Sequence, residues 1–157
     1  MKLINAMVLC VAALAIPALA QDKPADLNMQ ILLDKVKADK KLVVAANMEL
    51  NEAEAKAFWP IYDAYQKELQ SLNERTGKTI LAYADAYNKK ALTDDLAKRL
   101  TNEALAIDQD ELTLRKTYAA KLNGVLPAMK VARYIQIENK IRAAIRYDLA
   151  TGIPLVP

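Results

Sequence analysis

The chain has 157 residues, with 22 Lys and Arg against 19 Asp and Glu, and its formal net charge is +3. It contains no His and only one Cys. These counts exclude imidazole metal sites, disulfide frameworks, c-type haem attachment and Ser-His-Asp or Cys-His catalysis. The small net charge gives no indication of a nucleic-acid partner.

Residues 1–20 are predicted to be a cleaved signal peptide. Lys2 precedes an almost wholly apolar stretch that ends in the small-x-small sequence ALA, which a signal peptidase recognises. A membrane anchor is the alternative, but the polar Asn5 and the helix breaker Pro17 interrupt the stretch. We therefore expect residues 21–157, which contain no Cys, to be exported to the periplasm as a single domain.

The exported part is predicted to be all-α. Gly and Pro are sparse, the stretches between them are rich in good helix formers, and no segment alternates with the period of two expected for a strand. A first helix is predicted over residues 27–45, with Asp26 as its N-cap. Leu32, Val36 and Val43 follow helical spacing in this segment.

A second, long helix is predicted over residues 52–88. Asn51 and Glu54 have the spacing of a capping box, in which each side chain accepts a hydrogen bond from the other residue's backbone N–H. The apolar register continues across Pro60 and Gly77, so we expect one kinked but continuous helix. Its inward positions recur at steps of four and three residues: Phe58, Tyr62, Tyr65, Leu69, Leu72, Thr76, Ile80, Tyr83 and Tyr87.

A third helix is predicted over residues 94–124, and Thr93 precedes it as a cap. The connection from the second helix is so short that these two helices should form an elongated antiparallel hairpin. The inward positions of the third helix are Leu96, Leu100, Ala104, Ile107, Glu111, Leu114, Tyr118 and Leu122.

A fourth helix is predicted over residues 128–150, with Pro127 at its start. It and the first helix are expected to flank the hairpin as the two shorter helices. Its inward positions are Val131, Ile135, Glu138, Ile141 and Ile145. The apolar tail, residues 153–157, is expected to be extended and to lie in a groove.

The acids of the third and fourth helices raise the possibility of a metal site, with ion pairing as the alternative. Asp108, Asp110 and Glu111 cluster on the third helix, and Glu138 is on an inward track. A ferritin-like di-metal site would require Glu-x-x-His pairs, and the chain has no His. We interpret these acids as a solvated face with one or two buried ion pairs, such as Glu138 with Arg142 or Arg133. No catalytic residue, metal or cofactor is expected.

The aromatic group in the sequence FWPIYDAY is one candidate binding site. Phe58, Trp59, Tyr62 and Tyr65 could present a surface to a client protein or a partner, because aromatic side chains contribute large contact areas at interfaces. The alternative is core packing, because three of the four share the inward track. Trp59 lies beside that track, and whether it faces the core or a partner stays open.

Basic residues of the fourth helix are a second candidate. Lys130, Arg133, Lys140 and Arg146 could contact anionic lipid headgroups or acidic segments of a client. The alternative is an ordinary solvated helix face.

The helix starts resemble those of the Spy/CpxP-like periplasmic family, whose motif is LTxxQ. The pattern occurs as LNEAE at residues 50–54, LTDDL at 92–96 and VLPAM at 125–129. Leu96 stands where that family has Gln, and Asn51 replaces Thr. The resemblance implies an all-helical, elongated homodimer that binds unfolded clients or senses envelope stress. Metal-sensing members use His or Cys, so no metal role is implied here.

Two longer segments resemble uncharacterised exported helical proteins of proteobacteria. They are MELNEAEAKAFWPIYDAY, starting at Met48, and LPAMKVARYIQIENKIRAAIRYDLATGIPLV, starting at Leu126. This resemblance covers most of the exported part and implies its fold and compartment without implying an activity. We therefore expect a non-catalytic periplasmic client-binding protein; the alternative is a structural or adaptor protein that binds one folded partner.

Overall fold

The computed structural model describes residues 40–157. Four helices occur in this range: α1 over residues 40–48, α2 over Glu52–Asn88, α3 over Asp94–Asn123 and α4 over Ala128–Gly152. No strand occurs among these residues, so the predicted all-α class is confirmed. The predicted signal peptide and the first part of the first helix, residues 27–39, lie outside the described range.

The long helix α2 begins and continues as the sequence predicts. Asn51 Oδ1 accepts a hydrogen bond from the Glu54 backbone N–H at 2.9 Å, and Glu54 Oε2 accepts one from the Asn51 N–H at 2.9 Å. Both bonds of the capping box are therefore present. The helix passes through Pro60 and Gly77 without ending, so the prediction of one continuous helix is confirmed.

Replacement of Gly77 with alanine is expected to raise the free energy of unfolding by about 0.5–1 kcal/mol. Glycine has more conformational freedom in the unfolded chain than alanine, and this freedom is lost in a helix. A Cβ at Gly77 would have no atom within 4 Å, so no clash offsets the gain. Urea unfolding measures the change. Gly124→Ala is the control, since a Cβ there would lie 3.3 Å from the Lys121 carbonyl oxygen, and it should bring no comparable gain.

A left-handed residue ends α2 and turns the chain into the hairpin. Lys90 has a φ of +53°, the Ala91 N–H donates to the Ala86 carbonyl at 2.9 Å, and the Lys90 N–H donates to the Tyr87 carbonyl at 3.1 Å. This pair of bonds is a Schellman motif, which satisfies carbonyl groups left free at a helix end. The short connection that follows makes α2 and α3 neighbours, as predicted.

The order of contacts gives the direction of each helix. Glu111 of α3 pairs with Arg142 of α4, and Asp108 pairs with Arg146, so α4 runs antiparallel to α3. Phe58 packs against Tyr134 and, further along both helices, Gln66 contacts Glu138, so α4 runs parallel to α2. The fourth helix therefore lies along both members of the hairpin. α1 joins α2 and α4 through Lys40.

The buried core occupies the half of the bundle that is remote from the hairpin turn. Its members come from all four helices and the α3–α4 connection: Val44, Met48, Phe58, Tyr62, Tyr65, Leu69, Tyr118, Leu122, Leu126, Val131 and Tyr134. The other half is defined here as the turn-proximal half: residues 72–88, 94–108 and 141–157. Only Ala86 and Ile107 are buried there. The half that contains the aromatic core is therefore well packed, whereas few side chains are buried in the turn-proximal half.

The predicted inward positions of α2, α3 and α4 agree with the observed burial with two exceptions, whereas in α1 the predicted Val43 is exposed and its neighbour Val44 is buried. All nine positions in α2 are buried or half-buried, whereas Ala104 in α3 and Ile145 in α4 are exposed.

The prediction that the tail lies in a groove is wrong for residues 154–157, which are exposed, although Ile153 is half-buried. Tyr83 donates its hydroxyl hydrogen to the Pro154 carbonyl at 3.0 Å, but Leu155 is 90% exposed.

Candidate binding surfaces

Three of the four aromatic residues that the sequence suggested for partner binding are core residues. Phe58, Tyr62 and Tyr65 are buried, and all three rings pack against Tyr134 of α4 at centroid distances of 5.2, 6.1 and 6.4 Å. All three contacts are edge-to-face, the arrangement that the charge distribution of aromatic rings favours. A buried ring offers no surface to a partner, so these three are removed from the candidate binding residues.

Trp59 is half-buried and packs against the core cluster. Its ring packs edge-to-face on Phe58 at 5.0 Å and on Tyr62 at 5.3 Å. The ammonium group of Lys41 lies 5.1 Å from the centroid of the Trp59 ring, a cation–π contact that covers part of the remaining surface. The question left open by the sequence is therefore answered in favour of the core.

Burial of the tyrosines affects their hydroxyl groups. Desolvation raises the pKa of Tyr118 to about 12, and the hydrogen bond that its hydroxyl donates to Glu68 at 2.5 Å adds to this shift. Burial, followed by the charge of Glu138, raises the pKa values of Tyr62, Tyr65 and Tyr134. The Tyr134 hydroxyl has no hydrogen-bond partner of good geometry within the described structure. These groups stay protonated at neutral pH.

A polar triad joins three helices in the middle of the bundle. Lys40 of α1 donates to Gln66 of α2 at 3.0 Å, Gln66 donates to Glu138 of α4 at 3.1 Å, and Lys40 pairs with Glu138 at 2.7 Å. The prediction that Glu138 pairs with Arg142 or Arg133 is therefore wrong. The side chains of Lys40 and Glu138 are only 11% and 6% exposed, so this is a buried ion pair.

The predicted cluster of acids on α3 is divided among different cations. Asp110 pairs with Arg75 at 2.6 Å, whereas Asp108 pairs with Arg146 and Glu111 with both Arg142 and Arg146. Within residues 40–157, no group of three carboxylates lies close enough together to hold a metal ion. These acids connect α3 to its two neighbours.

A shallow groove of about 280 Å³ lies between α2 and α3. Its two carboxylates come from Glu68, which accepts the Tyr118 hydroxyl, and Asp110, which pairs with Arg75. The remaining lining side chains are Leu72, Thr113, Leu114 and Thr117. Both acids are thus engaged in structural contacts.

Two of the four predicted basic residues of α4 are held by acids of the bundle, and the other two lie on its outer face. Lys130 pairs with Glu54 at 2.5 Å and also donates to the Glu49 carbonyl, and its hydrogen bond holds the pKa of Glu54 below the usual range. Arg146 pairs with the acids of α3. These two cations are therefore held by the bundle and are removed from the candidate binding residues.

The other two predicted cations lie on the outer face of α4. Arg133 is exposed and pairs with Glu49, which is itself highly exposed. Lys140 is exposed and has no ion pair or hydrogen bond with any described residue. They remain candidates for contact with an anionic partner.

Exposed apolar side chains of the turn-proximal half, most of them outside the predicted inward tracks, are a further candidate for binding. Leu81 of α2 is 64% exposed and Leu105 of α3 is 62% exposed. Within residues 40–157, twelve large apolar residues are exposed, and seven of them lie in the turn-proximal half: Leu81, Leu105, Ile145, Tyr147, Leu149, Leu155 and Val156. The sequence contained a signal for Leu81, Leu105, Tyr147 and Leu149, because each is an apolar residue outside the four-and-three pattern of its helix.

Comparison of the sequence with protein-family models, with curated proteins and with solved structures finds no match. The resemblance to the Spy/CpxP-like family therefore rests on the residues of the helix starts alone. Within residues 40–157, no helix has the length and apolar character needed to cross a bilayer.

Proposed function

We propose that this protein is an exported, non-catalytic binding protein that holds unfolded segments of other proteins, as the Spy/CpxP-like family does. The observation that carries the proposal is the set of large apolar side chains exposed in the turn-proximal half, above all Leu81, Leu105 and Leu155. Exposed apolar side chains concentrated in one region are typical of interaction sites. These side chains would bind transiently to the exposed apolar segments of an unfolded client protein.

The uneven distribution of burial supports the same proposal. The aromatic core in the other half stabilises the bundle, so the aliphatic residues of the turn-proximal half are not all required for folding. A protein that binds unfolded segments needs apolar residues that its own core does not bury, because only exposed residues can contact a client. The homodimer implied by the resemblance stays a prediction, which sedimentation equilibrium would measure.

The test is suppression of aggregation of a reduced, unfolded client protein, followed by light scattering. We expect the wild type to suppress aggregation at equimolar ratio, because each bound apolar segment is removed from intermolecular contact. The double variant Leu81→Ser/Leu105→Ser should lose most of this effect. The matched control is Leu42→Ser/Met129→Ser, which removes two apolar residues that are equally exposed but lie outside the turn-proximal half.

No suppression at several-fold excess of wild type would refute the proposal. Recovery of one defined folded partner from an envelope extract, with no effect on unfolded clients, would support the adaptor alternative. Sedimentation of both double variants shows whether a change in self-association, rather than in client binding, accounts for any loss.

A further inference from the structure

The outer face of α4 carries a continuous exposed stripe whose one ion pair with the rest of the described chain is that of Arg133 with Glu49. Its residues recur at steps of four and three: Met129, Arg133, Gln136, Lys140, Ala143 and Tyr147. All six are exposed, and because positions three and four apart lie on one helix face, they form one line. At 1.5 Å per residue, the stripe is about 27 Å long. We call it the α4 stripe.

The α4 stripe combines positive charge with large exposed apolar groups. Met129 is 83% exposed and Tyr147 is 70% exposed, one near each end. The two acids of α4 lie off the stripe: Glu138 is buried against Lys40, and Asp148 follows Tyr147 on the adjoining face. Glu49, on the connection before α2, is the carboxylate that reaches the stripe, through Arg133.

We propose that the α4 stripe is a contact surface for an anionic lipid bilayer. A helix that carries basic residues together with Met and Tyr on an exposed face can lie in the plane of a membrane interface. Tyrosine suits this position because its ring is apolar and its hydroxyl is polar. Lys140 has no partner among the described residues, so its charge is available to lipid phosphates.

The charges argue against a second copy of the chain as the occupant of this surface. Two α4 stripes packed face to face would bring Arg133 and Lys140 of one copy close to the same cations of the other. Like charges placed together across an interface oppose association. An anionic partner is therefore the complementary one.

The shape of the stripe favours a membrane over an acidic polypeptide. Extended or helical peptides bind at a free strand edge or in a groove. The stripe is the convex surface of a single helix, and the residues that line the groove between α2 and α3 belong to other helices. A convex helix face can contact a flat bilayer along its whole length.

Vesicle binding by two charge-reversal variants tests the proposal. Lys140→Glu and Lys116→Glu cause the same change in net charge, and both lysines are exposed without an ion pair to any described residue, but Lys116 is on α3. Each unit of charge near an anionic surface changes the binding constant about 5-fold. We therefore expect Lys140→Glu to weaken binding to vesicles of equal parts phosphatidylglycerol and phosphatidylcholine by about 30-fold. Lys116→Glu should change it less than about 3-fold, because its charge lies away from the surface.

The experiment uses the full chain as the cell processes it, so the N-terminus is the same in every variant. A third variant, Tyr147→Ser, should weaken binding even at high salt, because an apolar contact is not screened. The proposal is overturned if vesicles of phosphatidylcholine alone bind equally well, or if both charge reversals cause the same loss. It is also overturned if Lys140→Glu abolishes binding to polyglutamate and leaves vesicle binding unchanged, because the partner is then an acidic polypeptide.

Discussion

Replacement of Phe58 with alanine is expected to lower the free energy of unfolding by about 4 kcal/mol. Phe58 is fully buried, and its ring contacts the rings of Trp59, Tyr62 and Tyr134 at centroid distances of 5.0, 5.8 and 5.2 Å. These neighbours are large rings on two different helices, so they cannot close the cavity without moving the backbone. Domains of this size are stable by only about 5–15 kcal/mol, so this loss is a large share of the total.

Urea unfolding followed by circular dichroism measures this change, and the fluorescence of Trp59 reports the same transition near the cavity. Leu105→Ala is the control, because the exposed leucine should contribute less than about 0.5 kcal/mol. A loss below about 1 kcal/mol for Phe58→Ala would contradict the assignment of this ring to the core. It would also return Phe58 to the candidate partner-binding residues.

The starts of α2, α3 and α4 could be predicted from the sequence because local chemistry determines them, whereas α1 extends to residue 48 and α4 to Gly152, beyond the predicted ends at 45 and 150. Asn51 with Glu54, and Thr93 alone, supply side-chain caps that act within three residues. The steps of four and three residues then indicate which face of each helix is buried. Such signals are short in range, and they correctly predicted α2, α3 and α4.

The partner of Glu138 could not be predicted because it depends on the position at which α1 meets α4. Helical spacing suggested two residues of the same helix: Arg142, four residues after Glu138, and Arg133, five residues before it. The observed partner, Lys40, comes from a different helix. Periodicity indicates which face of a helix is buried, but not which side chain of another helix lies opposite.

The candidate binding residues were difficult to predict for a related reason. Phe58 and Tyr62 were candidates because they are aromatic. Their helical spacing, however, places them on the inward face, and both are buried. Leu81 and Tyr147 lie outside the inward tracks, and their position is the better signal for an interaction site. A large apolar residue outside the buried face of a helix is available to contact a partner, whereas one on the buried face is already part of the core.

Replacement of Lys40 with methionine is expected to lower the free energy of unfolding by about 3 kcal/mol. The variant leaves the Glu138 carboxylate buried with Gln66 as its remaining hydrogen-bond donor. A buried charge without a partner is more destabilising than the absence of both charges. Such a charge has lost its hydration on folding, and no opposite charge compensates for that loss. Thermal or urea unfolding at neutral pH measures the change.

The double variant Lys40→Met/Glu138→Met should recover most of that loss. Apolar residues of similar volume can replace a buried ion pair with little change in stability, because no charge is then left without a partner. Glu138→Met alone should cost less than Lys40→Met alone, since the long Lys40 side chain can extend its ammonium group toward solvent. The cycle of variants should therefore give a coupling free energy of about 2 kcal/mol between the two residues.

Lys89→Met is the matched control for this cycle. Lys89 pairs with Asp85 one turn away, and their side chains are 68% and 62% exposed, so the removal of this lysine should change stability by less than about 0.5 kcal/mol. Equal effects of Lys40→Met and Lys89→Met would contradict the buried position of the Lys40–Glu138 pair. Additive effects of the two substitutions in the cycle would show that α1 and α4 do not meet through these side chains. A strong coupling would instead show that this pair helps to hold α1 against α4, in addition to the core contacts of Val44 and Met48.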